Sequence, residues 1–140
     1  MIDLVSDSNK IIAEVKNKFN TITFGKLSDL YFSLDNLISP KTSIYKDYTA
    51  YYVAIVPKNG LRYNKPFTPS INKTGKKCPV NENIREIDGA SFYSLVTGNV
   101  NALEELFYVL PEIIQDCSEG HFHISNKEKI FSFFSKAYRK

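Results

Sequence analysis

Asp3, Glu14 and Lys16 are the residues of this chain whose types and spacing best suit a chemical step. Glu14 and Lys16 stand two apart in the β-prone run Ile11-Ile12-Ala13-Glu14-Val15-Lys16. A strand therefore projects both from one face while Ala13 and Val15 face the other way. The runs Ile2 to Val5 and Lys10 to Lys16 flank the turn-rich Ser6-Asp7-Ser8-Asn9, which predicts a β-hairpin closed by that loop. Pairing Val5 with Lys10 sets Asp3 opposite Ile12 and diagonal to Glu14, at a Cβ separation of roughly 7 Å or less. Two carboxylates so placed can share one Mg²⁺, which takes oxygen ligands and acidifies a bound water, as phosphodiester hydrolysis requires. Lys16 would add positive charge at the attacking water and the pentavalent transition state. The same E-x-K also reads as a solvent-facing charge pair on an ordinary strand. Local pattern leaves both readings open.

The elements that must position these groups are legible in outline. Leu27, Leu30, Leu34, Leu37 and Ile38 recur at helical spacing from Lys26 to Ile38, with Ser39-Pro40 as the stop. Ala50 to Val56 is a continuous apolar, β-rich run ended by Pro57, as expected of a strand covered on both faces. Lys58 to Asn83 follows as a long loop rich in Lys, Asn, Pro, Gly and Thr, with almost no apolar periodicity. Ile84 to Ile87 predicts a short strand before a turn at Asp88-Gly89, and Ala90 to Thr97 a helix closed by Gly98. Asn101 with Glu104 matches a capping box, and Leu103, Leu106, Phe107 and Leu110 supply an apolar helix face up to Pro111. The tail Lys127 to Lys140 reads as a basic, aromatic terminal helix.

A chain of 140 residues with 43% apolar residues, ten Phe and nine Tyr among them, can bury a real core. Nothing suggests an internal repeat or a linker between two cores, so residues 1–140 are read as a single catalytic domain or the C-terminal part of one. The net charge of +3 permits a nucleic-acid partner without requiring one. Cys78 and Cys117 lie far apart, which argues against a disulfide scaffold and a structural zinc site and points to the reducing cytoplasm. No apolar run approaches the roughly 18 to 20 residues of a membrane span, and the N-terminus lacks a secretory pattern.

Two groups of residues are candidates for contact with DNA. Asn17, Lys18, Asn20 and Thr21 follow the catalytic strand directly, where they suit a phosphate contact or an ordinary polar strand exit. Lys58, Arg62, Asn64, Lys65, Lys73, Lys76 and Lys77 concentrate polarity and charge in the long loop beside Tyr63 and Phe67. Such a loop can track a phosphate backbone or reach a groove, or remain simply solvated. Arg85 and Glu86 read more simply as a cross-strand ion pair than as a second site. Cys117, His121 and His123 form C-x3-H-x-H, short of a fourth ligand at zinc spacing.

The segments IIAEVKNKFNT (11–21), AYYVAIVPKN (50–59), RYNKPFTPS (62–70), NENIREIDGASFYSLVTG (81–98) and NALEELFYVLPEII (101–114) resemble, in that order, the type II restriction endonucleases that cut GGNCC. Those enzymes belong to the PD-(D/E)xK nuclease superfamily. The resemblance runs to about Ile114 and implies an α/β core with a mixed central sheet flanked by helices, Mg²⁺-dependent cleavage of double-stranded DNA, and action as a homodimer. It matches Glu14 and Lys16 to the E-x-K and Asp3 to the first acid, and it makes Asn17, Lys18, Asn20, Arg62, Lys65 and Lys73 expected DNA contacts. Ile2 stands where the name-giving Pro would be. The superfamily core normally sets a helix and a strand before the first acid, so the chain is expected to correspond to the C-terminal part of a longer enzyme. The rival expectation is an inactive remnant that only binds DNA or a partner chain.

Overall fold

The computed structural model describes residues 2–70, 75, 77–118, 121 and 124–139. Within them the apolar runs become a five-stranded sheet of β1 (Leu4–Ser6), β2 (Ile11–Lys18), β3 (Thr49–Val56), β4 (Asn64–Pro66) and β5 (Ile84–Asp88), in the spatial order β1-β2-β3-β5-β4. β2, β3 and β5 run parallel, and the short edge strands β1 and β4 run antiparallel to their neighbours. The predicted mixed sheet flanked by helices is the architecture the chain adopts.

Alternation along β2 and β3 sorts the core into two faces. Ile12, Ala50, Tyr52 and Ile84 pack against Tyr31, Leu34 and Ile38 of α1 (Phe24–Ile38). Those three helix positions fall on one stripe of a 3.6-residue helix, which is why α1 covers this face. The helix also carries the chain from β2 to its parallel neighbour β3, a connection that an antiparallel hairpin cannot make. Ile11, Ala13, Tyr51, Val53 and Ile87 form the opposite face and bury Phe92 of α2 (Gly89–Thr97). Outside α2 lie α3 (Ala102–Cys117) and α4 (Lys127–Arg139), joined by the stacked rings of Phe107 and Phe134 at 5.8 Å. Tyr138 ties α4 to the junction of β5 and α2, its hydroxyl accepting from the Ala90 N–H at 2.7 Å and donating to Asp88 at 3.5 Å.

Several local expectations are corrected. The hairpin pairs Val5 with Ile12 and Ser6 with Ile11 rather than Val5 with Lys10, and its turn is Asp7 to Lys10, one residue later than predicted. Lys10 takes a φ of +54° there. Contacts remote in sequence hold it: the Tyr48 hydroxyl donates to Asp7 at 2.6 Å, and the Lys10 ammonium lies over the Tyr48 ring. Asp88-Gly89 is a helix start rather than a turn, with Asp88 Oδ2 accepting from the Ser91 N–H at 3.1 Å. Gly98, at φ +72°, ends α2 as expected. The capping box does not form. Asn101 makes no side-chain cap bond, while Asn99 accepts from the Asn101 N–H at 2.9 Å and donates to Glu105 at 2.7 Å. Pro111 is buried inside α3, which continues to Cys117. The long loop also contains β4, paired with β5.

Candidate active site

The hairpin's true register brings the three predicted residues closer than the expected one. With Leu4 paired to Ala13, Asp3 lies just beyond the last pair, and its N–H donates to the Ala13 carbonyl at 3.0 Å. Its carboxylate folds over the strand edge and accepts from the Val15 N–H at 2.8 Å. Lys16 Nζ pairs with Glu14 Oε1 and sits 3.9 Å from Asp3 Oδ2. Two carboxylates and one ammonium therefore converge at a strand edge, as alternation along β2 demands.

Their exposure differs in a way that matters. The Asp3 side chain is 42% exposed and that of Glu14 only 12%. Glu14 Oε2 is buried and has no hydrogen-bond partner among the described residues. Leaving a carboxylate oxygen in that condition is costly unless a cation or donor meets it. Among the described residues no group of three or more His, Cys, Asp or Glu is placed to hold a metal. Cys117 of the C-x3-H-x-H motif is exposed, and His123 lies outside the described residues.

Beside this cluster a groove of about 840 Å³ opens where β2 and β3 end. Its walls include Phe19, Asn20 and Thr23 from the segment after β2, and Pro57, Lys58 and Asn59 from the segment after β3. Crevices beyond the carboxyl ends of parallel strands are the usual ligand sites of open α/β sheets. Arg62 and Lys65 also line it, as do Tyr52, Tyr63 and Glu86.

The candidate DNA contacts fare unevenly. Asn20 lines the groove, Lys18 is exposed at the strand end, and alternation turns Asn17 away from the face of Lys16. Arg62 reaches Glu104 and Ser94, each at 3.4 Å, and so ties the loop to α3 and α2. Lys65 pairs with Glu86 at 2.9 Å across β4 and β5. Lys73 and Lys76 lie outside the described residues. The expected pairing of Arg85 with Glu86 does not occur: Arg85 instead donates to Glu82 at 2.9 Å and to Asn64 at 2.7 Å.

Sequence reasoning missed Tyr52, and it weighed Glu86 only together with Arg85, as an ion pair rather than as part of a site. The register sets Glu14 beside Tyr52 and Tyr52 beside Glu86, so the three share a face in one row across the sheet. Tyr52 was hidden in an apolar run, and only the alignment of three strands reveals the row. Burial pushes the hydroxyl pKa values of Tyr52 and Tyr63 up, and the nearby Glu86 carboxylate pushes in the same direction.

Comparison with known proteins identifies the family. A family model described as Eco47II restriction endonuclease matches residues 1–119. The chain is 49% identical over 143 aligned residues to the type II restriction enzyme Eco47II of Escherichia coli, covering 99% of this chain and 60% of that enzyme. It is 30% identical over 120 residues to the type II restriction enzyme Sau96I of Staphylococcus aureus, covering 84% of this chain and 44% of that enzyme. No solved structure matches. The shared sequence spans β1 to α3, and the chain belongs to the Eco47II restriction endonuclease family.

Proposed function

We propose that this chain is the catalytic part of a type II site-specific deoxyribonuclease that hydrolyses double-stranded DNA with Mg²⁺ at GGNCC. The observation that carries the reading is the convergence of Asp3, Glu14 and Lys16 on one strand edge, with a buried Glu14 oxygen lacking a partner among the described residues. That oxygen and the Asp3 carboxylate fit a small divalent ion, which commonly rests on one or two protein carboxylates and fills its remaining positions with water and substrate phosphate. Such an ion, when bound, supplies Lewis acidity and a water of lowered pKa.

The chain's own residues do the positioning. The Val15 N–H fixes one oxygen of Asp3, and Glu14 is held by the packed face of β2. The Lys16 ammonium lies between the two acids and can turn toward the attacking water, where it favours developing negative charge. Lys18, Lys58, Lys65 and Arg62 supply positive charge along the strand exit and groove, suited to the phosphate backbone of duplex DNA. Asn17, Asn20 and Lys73 complete the proposed contact set.

Residues 1–140 act as one catalytic unit in this reading, since both core clusters share β2 and β3. A homodimer would suit a near-palindromic site, and exposed Tyr108, Val109, Ile113 and Ile114 on α3 offer apolar surface for it. No helix among the described residues is long and apolar enough to cross a membrane, which fits the proposed cytoplasmic location.

The test is incubation of plasmid DNA bearing several GGNCC sites with the purified chain, in Mg²⁺ and in EDTA. Discrete fragments in Mg²⁺ alone are expected. A folded chain that binds DNA in a salt-sensitive manner but never cuts it would overturn the proposal in favour of a binding remnant.

A further inference from the structure

The row Glu14, Tyr52, Glu86 leads from the proposed catalytic cluster into the groove. Strands lie about 4.8 Å apart, so Glu86 stands roughly 10 Å from Glu14, about three nucleotide steps along one DNA strand. A groove at that distance is placed for bases near the bond being cut rather than for the reacting phosphate.

Tyr52 is only 4% exposed. Its ring packs on Phe67 with centroids 5.1 Å apart, the residue lines the groove, and its hydroxyl is buried without a hydrogen-bond partner among the described residues. A Phe would keep the packing and avoid burying an unpaired hydroxyl. The hydroxyl is a cost to the free protein that a ligand in the groove can offset. Burial and the neighbouring Glu86 raise its pKa, so it stays protonated and able to donate.

The ligand's chemistry follows from the neighbours. A phosphate beside Tyr52 would meet the Glu86 carboxylate, which repels it even with Lys65 attached. A base edge carries no such charge. Carboxylates accept from exocyclic amines such as cytosine N4, and a tyrosine hydroxyl donates to a ring nitrogen or carbonyl oxygen. Tyr63 and Phe19 supply aromatic walls against which bases can lie. We propose that Tyr52 and Glu86 form a base-reading subsite in the groove and determine sequence specificity, separately from Asp3, Glu14 and Lys16. This rests on the nuclease reading above.

The test compares the full chain with Tyr52→Phe and Glu86→Gln. Affinities are measured in EDTA, by fluorescence anisotropy, for a duplex with one GGNCC site and for an unrelated duplex, beside thermal midpoints. Tyr52→Phe is expected to weaken the site duplex roughly five- to tenfold, to change the unrelated duplex by less than about twofold, and to leave the midpoint equal or higher. Glu86→Gln should lower the ratio of the two affinities. Unchanged ratios in both variants, or equal losses on both duplexes, would overturn the subsite. Wild-type protein that binds both duplexes equally would overturn it while leaving the nuclease reading standing. Wild-type protein that binds neither would overturn the subsite, while plasmid cleavage in Mg²⁺ decides the nuclease reading separately.

Discussion

At the scale of single residues, the account turns on how one strand edge gathers charge. Asp3 is the least enclosed member, yet its carboxylate holds the Val15 N–H at 2.8 Å and so serves the hairpin as well as the proposed site. Asp3→Ala should lower stability by about 1 kcal/mol, the worth of one hydrogen bond at an exposed edge. Urea denaturation checks this: the midpoint should fall while the m-value stays unchanged. Glu14 and Lys16 were legible from the sequence because alternation in a strand is a local property. Asp3 was legible as a candidate, although its position was not. The two-residue error in register arose because Lys10 takes a positive φ, supported by Tyr48, a residue remote in sequence whose packing no local propensity reports. Tyr52 was missed for a related reason, since a polar atom inside an apolar run acquires meaning only when neighbouring strands are aligned, and the same alignment sets Glu86 beside it.

At the scale of elements, the junction of β5 and α2 holds the sheet, the groove loop and α4 together. Asp88 accepts from the Tyr63 N–H at 2.7 Å and from the Ser91 N–H, so one buried carboxylate fixes both the loop and the helix start. Gly89 follows it. A Cβ there would meet the Ile55 carbonyl oxygen at 2.7 Å and the Ile55 Cα at 2.9 Å, backbone atoms that cannot rotate aside. Gly89→Ala should therefore destabilise the protein by about 1–3 kcal/mol through overpacking, and a thermal melt would detect it as a lower midpoint. The sequence reading placed a turn at Asp88-Gly89 because those residue types favour turns; the close approach of β3 that demands the glycine is a tertiary fact. Long periodic segments were read more faithfully. α1 and β3 each emerged within about two residues of expectation, because fifteen or eight residues of consistent pattern outweigh local ambiguity. Pro111 shows the limit: the apolar face was traced only up to it, yet α3 runs through it, with Glu112 just beyond held by Lys127 of α4 at 2.7 Å.

At the scale of the whole molecule, tyrosines cluster between the groove and the packing of α4. Burial raises the hydroxyl pKa values of Tyr52, Tyr63 and Tyr138 above the ordinary tyrosine value. A folded-state pKa above the unfolded one contributes stability that is fully present below pH about 10 and is lost as pH rises beyond it, because the unfolded chain releases those protons first. Urea midpoints should accordingly show no loss from these groups between pH 7 and 9 and a decline above about pH 10. A midpoint unchanged at pH 11 would contradict the burial assigned to these rings. The central claim concerns what the folded molecule does with the edge of β2. It is tested most directly by the rate of Mg²⁺-dependent plasmid cleavage by wild-type protein and by Lys16→Ala, each first verified as folded by circular dichroism. A loss of about a hundredfold or more in the variant is predicted; cleavage by folded Lys16→Ala at the wild-type rate would contradict the account.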